Sequence, residues 1–310
     1  MRVLVTGGAG YVGSVSVERL IESGHEVTVL DTLVTGHRDA VPEGVTLAVG
    51  SVGEHRSVER LLRDNGIEAV LHCAARSLVG QSLKDPGLYY QENVVGGVAL
   101  LNTMREVGVK RLVFSSTAAV YGVPASTPIE EDAIPKPINP YGATKLAFEE
   151  AMRWFGVASG LRAVSLRYFN VAGASPTLGE RHDPETHLIP NLLKACRGGP
   201  PLTIFGTDYA TPDGTAVRDY IHVMDLADAH LAALEATGSA EPGLEVCNLG
   251  SGSGFSVFEV LAAAESVVGR PVPHVLGERR EGDPPVLVAS NQRAADRLGW
   301  HPARGSLQEM

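Results

Sequence analysis

An apolar run, Val3-Leu4-Val5, passes through Thr6 straight into Gly7-Gly8-Ala9-Gly10-Tyr11-Val12-Gly13. Small residues at this spacing, between a strand and a helical pattern, let the backbone turn sharply and lie against a pyrophosphate. The helix that follows offers unpaired N–H groups and partial positive charge at its N-terminus. The run therefore predicts a strand–turn–helix unit that opens a parallel sheet and seats a dinucleotide. Gly7, Gly10 and Gly13 form the turn, while Tyr11 and Val12 open the helix.

A second feature should stand in register with the first: an acid at the end of the next strand. Asp31 closes the run Glu26–Leu30 and meets that requirement. A carboxylate there accepts hydrogen bonds from ribose hydroxyls and repels a 2′-phosphate, so NAD is expected rather than NADP. Arg38 lies near enough in sequence to argue the other way.

The first half alternates short apolar runs with amphipathic stretches, the signature of an α/β fold with a Rossmann-type doubly wound parallel sheet. Strands are expected at Val3–Val5, Glu26–Leu30, Thr46–Val49, Ala69–His72, Arg111–Phe114 and Ala163–Arg167. Helices are expected at Val12–Glu22, Ser57–Asp64, Val94–Val107 and Tyr141–Ala158. From Asn170 turn-formers cluster, at Gly173–Pro184, Gly198–Pro201 and Asp208–Thr215, which predicts a smaller irregular lobe. Val223–Ala236 and Glu245–Leu249 read as a return to the sheet, and Ser256–Val268 and Gln292–Leu298 as helices. The expected division is a dinucleotide-binding domain at 1–169 with about 223–257, and a discontinuous C-terminal substrate lobe at about 170–222 with 258–310.

Composition narrows the partners. The chain has 310 residues and a net charge of -10, which disfavours nucleic acid. An anionic ligand would have to be met by a few placed arginines. No apolar run approaches a membrane span, so no membrane partner is expected. Cys73, Cys196 and Cys247 are odd in number and show no C-x-x-C pattern. Metal and disulfide use are therefore not expected, and a reducing cytoplasm fits best. Cys73 and Cys247 read as small core residues.

Asn139-Pro140 precedes Tyr141-Gly142-Ala143-Thr144-Lys145. Asn is a good N-cap and Pro suits the first helical position, so Tyr141 belongs in the first turn, with Lys145 one turn later on the same face. Tyrosine ordinarily ionises near pH ~10. A neighbouring ammonium and the positive helix end favour the phenolate, so the Tyr141 pKa is expected to fall. Ser115-Ser116-Thr117 follows an apolar strand and could place a hydroxyl on the reacting oxygen, although a capping turn reads the same.

These motifs, taken with S-S-T-A-A-V-Y-G at Ser115–Gly122, R-Y-F-N at Arg167–Asn170 and R-D-Y-I-H-V-M-D-L-A at Arg218–Ala227, carry a resemblance. N-L-G-S-G at Asn248–Gly252 and R-R-E-G-D at Arg279–Asp283 extend it over essentially the whole chain. The sequence resembles the extended short-chain dehydrogenase/reductases, and within them the UDP-galactose (UDP-glucose) 4-epimerases. The resemblance implies a catalytic trio of Thr117, Tyr141 and Lys145. It implies NAD contacts at Gly7, Gly10, Tyr11, Val12, Gly13, Asp31, Thr32, Ser51 and Val52. Cys73, Ala74, Ala75, Asn93, Ser115 and Phe169 fall on further cofactor positions, with Tyr141 and Lys145 shared between catalysis and cofactor binding. UDP-sugar positions fall on Asn170, His187, Leu188, Thr203, Phe205, Arg218, Tyr220, Arg280, Asp283 and Leu287, with Thr117 shared. Arg218 and Arg280 are the implied pyrophosphate partners, because guanidinium forks match phosphate oxygens.

The implied reaction is C4 epimerisation. Tyr141 takes the proton of the sugar 4-hydroxyl while hydride leaves C4 for NAD, the 4-keto sugar swings about its tether, and hydride returns to the other face. Ala118-Ala119 stand where a 4,6-dehydratase needs an acid pair. A 4-epimerase of another UDP-sugar (a uronate, pentose or N-acetylhexosamine) and a non-catalytic NAD-binding regulator are the alternatives. The chain departs from the family at Ser51, where many relatives have Asp, and at Ser77, where a lysine is common. Thr117 replaces a more usual Ser, and relatives continue into one more helix. The family pairs two helices per subunit into a homodimer interface, which falls here on Val94–Val107 and Tyr141–Ala158. Val98, Leu101 and Met104 could face a partner or the chain's own core.

Overall fold

A computed structural model describes residues 1–280 and 283–310. Six strands build most of the main sheet: β1 (Arg2–Thr6), β2 (Glu26–Asp31), β3 (Thr46–Val49), β4 (Ala69–His72), β5 (Arg111–Ser115) and β6 (Arg162–Tyr168). Between them run α1 (Tyr11–Glu22), α2 (His55–Asp64), α3 (Val79–Lys84), α4 (Pro86–Tyr89), α5 (Gly96–Val107) and α6 (Pro140–Ser159). Then come β7 (Asn170–Ala172), α7 (Leu188–Cys196), β8 (Leu202–Phe205), β9 (Val217–His222), α8 (Val223–Ala236) and β10 (Gly243–Leu249). The chain closes with β11 (Gly254–Ser256), α9 (Val257–Val268), β12 (His274–Gly277), β13 (Val286–Leu287) and α10 (Gln292–Leu298).

The main sheet has seven parallel strands in the order β10-β6-β5-β4-β1-β2-β3. Successive side chains of a strand point to opposite faces. Val3 and Val5 accordingly join Leu20, Val17, Leu226 and Ala233 on one face. Leu4 joins Val58, Leu62, Leu100 and Phe148 on the other. Both faces are covered, which is why these strands read as continuous apolar runs rather than alternating ones. Each such fully buried Leu or Val side chain contributes ~1.5–3 kcal/mol.

The strand order reverses at β1, whose neighbours are β4 on one side and β2 on the other. A crevice opens at such a switch point, outside the carboxyl ends of the strands. The second part of the chain closes over it. β7, β9, β11 and β13 form a small mixed sheet, and β8 pairs with β12. Their core gathers Leu192, Ile204, Tyr220, Val260 and Leu261. After α9 the chain returns to the main sheet, where Ala294 and Trp300 pack with Leu234 and Val3, and the Trp300 indole donates to the Asp225 carbonyl at 2.9 Å.

Sheet strands fall within a residue or two of the expected spans. The shorter elements, α3, α4, α7 and the small-lobe strands, lack a long periodic pattern and are legible only once folded. The expected helix from Val94 is preceded by a π-type turn over Tyr90–Val95 and becomes α-helical at Gly96. Leu101 and Met104 are buried in the chain's own core. The large apolar side chains left outside on these elements are Val95, Trp154 and Val157. No helix among the described residues is long and apolar enough to cross a membrane.

Candidate active site

A single cleft of about 2100 Å³ runs along the carboxyl ends of the strands and continues under the second lobe. That exceeds the ~300–1,000 Å³ of an ordinary small-ligand site.

Its sheet side begins at the glycine turn. Gly7 has φ +71°, and a Cβ there would sit 2.6 Å from the Ala74 nitrogen. At Gly13 a Cβ would run into the Gly7 carbonyl. Only glycine lets α1 start this close to β1. Gly10, the N-cap of α1, supplies no side-chain cap, which leaves the helix end open toward the cleft. Gly10, Tyr11, Val12 and Gly13 line the cleft, with Asp31 and Thr32 after β2 and Ser51 and Val52 after β3. Cys73, Ala74 and Ala75 line it after β4, and Phe169 after β6.

Asp31 is buried, and its carboxylate accepts from the backbone N–H groups of Ala9 (3.0 Å) and Leu33 (2.8 Å). Each carboxylate oxygen keeps a second lone pair for a ribose hydroxyl. Arg38 is exposed in a short 3-10 turn and does not line the cleft, so it does not stand ready for a 2′-phosphate. Ser51 turns its hydroxyl back to accept from Gly53 N at 3.2 Å. Cys73, expected in the core, is half-buried on the cleft wall, with its sulfur 3.2 Å from the Ser115 hydroxyl.

Asn93 and Ser115 stand one layer behind that wall. The Asn93 side chain holds Arg76 through both of its backbone groups and donates to Thr144 Oγ1. Ser115 places its hydroxyl 2.9 Å from His230 Nε2 and its carbonyl 2.7 Å from Lys145 Nζ.

Tyr141 is positioned by the start of α6. Asn139 Oδ1 accepts from Gly142 N at 2.8 Å, and Pro140 occupies the first helical turn. A Cβ at Gly142 would sit 2.5 Å from the Ala119 carbonyl, so glycine lets the helix start seat itself on the 117–119 turn. Tyr141 thereby comes beside Thr117, whose hydroxyl also accepts from Ala119 N at 3.1 Å. Beneath them a buried pair, Glu149 and Arg167, meets at 2.5 Å, and Glu149 also accepts from Ser116 and Ser165.

The expected fall in the Tyr141 pKa does not occur in this structure. Burial is the largest influence and pushes the phenol up to about 12, and hydrogen bonding to Thr117 pulls it back only in part. Lys145 answers in the opposite sense, driven down to about 8 by burial against the opposing pull of Cys73 and Glu149. Its ammonium lies 5.9 Å from the Tyr141 ring centre and donates instead to the Ser115 carbonyl. Helix spacing placed the pair on one face correctly. What it could not show is that both groups are dry, and desolvation disfavours the charged form of each.

The second lobe supplies the far wall. Asn170, His187, Leu188, Thr203, Phe205, Arg218, Tyr220, Arg280, Asp283 and Leu287 all line the cleft. Pairing puts Asn170 beside Tyr220 and Arg218 beside Leu287. Arg218 donates to Asp283 at 2.5 Å, which holds the guanidinium in place, and Arg280 lies over the Phe205 ring at 4.2 Å. On this wall two arginines thus face the cleft of an acidic protein. Glu281 and Gly282 of the R-R-E-G-D motif lie outside the described residues.

Sequence reading missed Glu180, His182 and Glu185 at the cleft's edge, although E-x-H-x-x-E-x-H is a visible signal. Burial would raise the Glu180 pKa, but hydrogen bonds from His182 and His187 outweigh it and hold the carboxyl down to about 2. Burial disfavours the His187 cation, yet Glu180 and Glu185 together raise its pKa.

With this geometry in hand, comparison with known proteins is direct. A UDP-glucose 4-epimerase of Corynebacterium glutamicum is 50% identical over 309 residues, covering 99% of this chain and 93% of that protein. The structure of UDP-glucose 4-epimerase from Brucella ovis in complex with NAD superposes with a TM-score of 0.96 at 43% identity, covering 99% of this chain and 95% of that one. UDP-glucose 4-epimerase from Bifidobacterium longum in complex with NAD+ and UDP gives 0.94 at 36% identity, covering 100% and 96%. Residues 3–250 match the family described as the NAD dependent epimerase/dehydratase family, and the chain, with its glycine turn, Asp31 and the Tyr141–Lys145 pair in one cleft, belongs to it.

Proposed function

We propose that this protein is a UDP-glucose 4-epimerase that interconverts UDP-galactose and UDP-glucose with NAD as a resident cofactor. One observation carries the reading: the dinucleotide turn, the Thr117–Tyr141–Lys145 group and the two arginines open into the same cleft. Full-length identity to relatives of that name supports it.

The cleft fits the cofactor, with Gly7, Gly10 and Gly13 bare against the pyrophosphate and Asp31 at the ribose. Bound there, NAD supplies a hydride acceptor and donor at sugar C4. Tyr141 then removes the 4-hydroxyl proton and later returns it, and Thr117 hydrogen-bonds O4. Lys145, one turn along α6 on the same face, supports the phenolate charge. Arg218, oriented by Asp283, and Arg280, backed by Phe205, grip the pyrophosphate. Firm hold on the phosphates with few polar contacts to the hexose lets the 4-keto sugar turn over between the two hydride transfers. Residues 1–169 with 223–257 serve the cofactor, and 170–222 with 258–310 serve the nucleotide sugar.

We further propose a homodimer through α5 and α6, supported by exposed Trp154 (66%), Val157 (76%) and Val95 (53%). Three free cysteines suit a cytoplasmic setting.

The test is conversion of UDP-galactose to UDP-glucose by the purified chain. Tyr141→Phe should lower turnover by ~10²–10⁴-fold, the usual contribution of a positioned acid–base group. Near-normal turnover by that variant would remove Tyr141 from the role given to it.

A further inference from the structure

Four side chains from one short segment converge at the edge of the cleft. Glu180, His182, Glu185 and His187 each offer a ligand atom, and these atoms all lie within 4.8 Å of one another. His182 Nδ1 is 2.6 Å from Glu180 Oε1. His187 Nδ1 is 2.7 Å from Glu180 Oε1 and 2.9 Å from Glu185 Oε1.

The carboxylates are the unusual members. Their side chains are only 7% and 3% exposed, and among the described residues neither forms an ion pair with a lysine or arginine. Buried carboxylates need matching positive charge close by. A single divalent cation neutralises both carboxylates and leaves the imidazoles neutral, the state in which they coordinate.

The ligands are also held in place. Glu185 Oε1 accepts from the backbone N–H groups of Thr186 and His187, each at 2.7 Å, which fixes its direction. The Tyr11 ring stands edge-on to His182 at 6.3 Å between centres, and its hydroxyl donates to the Gly173 carbonyl at 2.6 Å. Outside partners of this kind set ligand orientation in metal sites. The imidazoles, at 28% and 43% exposure, leave an entry path from solvent.

We propose that Glu180, His182, Glu185 and His187 bind one divalent first-row transition cation, with Zn²⁺ the best match to two imidazole nitrogens and two carboxylate oxygens. Such a donor set suits four-coordinate Zn²⁺, with bonds of ~2.0–2.2 Å. Ligand atoms in that geometry stand about 3.3 Å apart, so the 2.6–2.9 Å contacts open by about 0.4–0.7 Å where the cation replaces the bridging protons, and the widest separations, up to 4.8 Å, close by as much as about 1.5 Å. The expectation of no metal rested on cysteine spacing, and these ligands are not cysteines. Bound there, the cation fastens the 180–187 segment and the start of α7, whose N-cap is His187. The inference does not depend on the epimerase reading.

The test is metal titration of the full chain after treatment with a chelator, using Zn²⁺, Co²⁺ and Mg²⁺ in separate experiments. Expected are one equivalent of Zn²⁺ per chain, an intense visible Co²⁺ spectrum of four-coordinate type that Zn²⁺ abolishes, and no competition from Mg²⁺. His182→Ala and Glu180→Gln should each weaken Zn²⁺ binding at least tenfold, with circular dichroism confirming the fold. The Co²⁺ spectrum of the unaltered chain reads the site without any variant. Binding below a tenth of an equivalent, a weak six-coordinate Co²⁺ spectrum, unchanged affinity in both folded variants, or displacement of Zn²⁺ by equal Mg²⁺ would each overturn the proposal.

Discussion

At the scale of the residue, Tyr141 and Lys145 show how burial competes with proximity. Burial pushes the Tyr141 phenol up to about 12, so the base role proposed for it requires a cationic nicotinamide in the same pocket to favour the phenolate. In phenolate difference titrations of the unaltered chain against Tyr141→Phe, the Tyr141 signal should be absent below pH 10 without NAD+. It should move to lower pH when NAD+ is added. A Tyr141 signal that ignores the cofactor would show that the charge is set by the chain alone. Lys145 makes a separate prediction. Its folded pKa, about 8, lies below the ordinary 10.5, so between these values the unfolded chain binds more protons. Stability contributed by this group therefore rises with pH across that window. Urea unfolding should show a steeper rise from pH 8 to 10 in the unaltered chain than in Lys145→Met.

At the scale of the element, function rests on two helix starts with opposite designs. α1 begins bare, with Gly10 as an uncapped N-cap and a Gly7–Gly13 contact that admits no side chain, so its N–H groups stay free for a ligand. α6 begins satisfied, with Asn139 and Pro140 closing the first turn around Tyr141. Asn139→Ala should cost about 0.5–2 kcal/mol by thermal or urea unfolding. Because Tyr141 lies within that first turn, turnover should fall by more than the loss of folded protein explains. Turnover that merely tracks the folded fraction would mean that the cap supports the helix and not the phenol. Both starts were readable from local sequence, since a glycine fingerprint and an Asn-Pro pair act on their own neighbours.

At the scale of the whole molecule, an apolar strip on the outer face of α6 points to association. Trp154 and Val157 are three residues apart and so share one helix face, with Val95 exposed at the head of α5. Exposed apolar clusters of this kind mark interaction surfaces. Light scattering after size exclusion should give a dimer for the unaltered chain and a monomer for Trp154→Glu combined with Val157→Glu. A monomeric parent at working concentration would end the dimer proposal. The sequence left open which way Leu101 and Met104 face, because their periodicity is the same whether a helix faces its own core or another subunit, and the fold buries both in the chain's own core. Short small-lobe strands such as β7 and β13 were unreadable for a related reason. At 3 and 2 residues they have no pattern of their own and are defined by pairing with β9.

The amino-acid order by itself determined what depends on neighbours along the chain: the strand–turn–helix at Gly7–Gly13, the acid at Asp31, the capped start of α6 and the buried parallel sheet. Only the tertiary structure decided what depends on distant residues meeting away from water. It dried the Tyr141–Lys145 pair and reversed the expected direction of the tyrosine's pKa. It brought Arg218 to Asp283 across 65 positions and drew Glu180, His182, Glu185 and His187 to one point. Desolvation and long-range charge pairing are properties of the folded arrangement, and no local pattern encodes their balance.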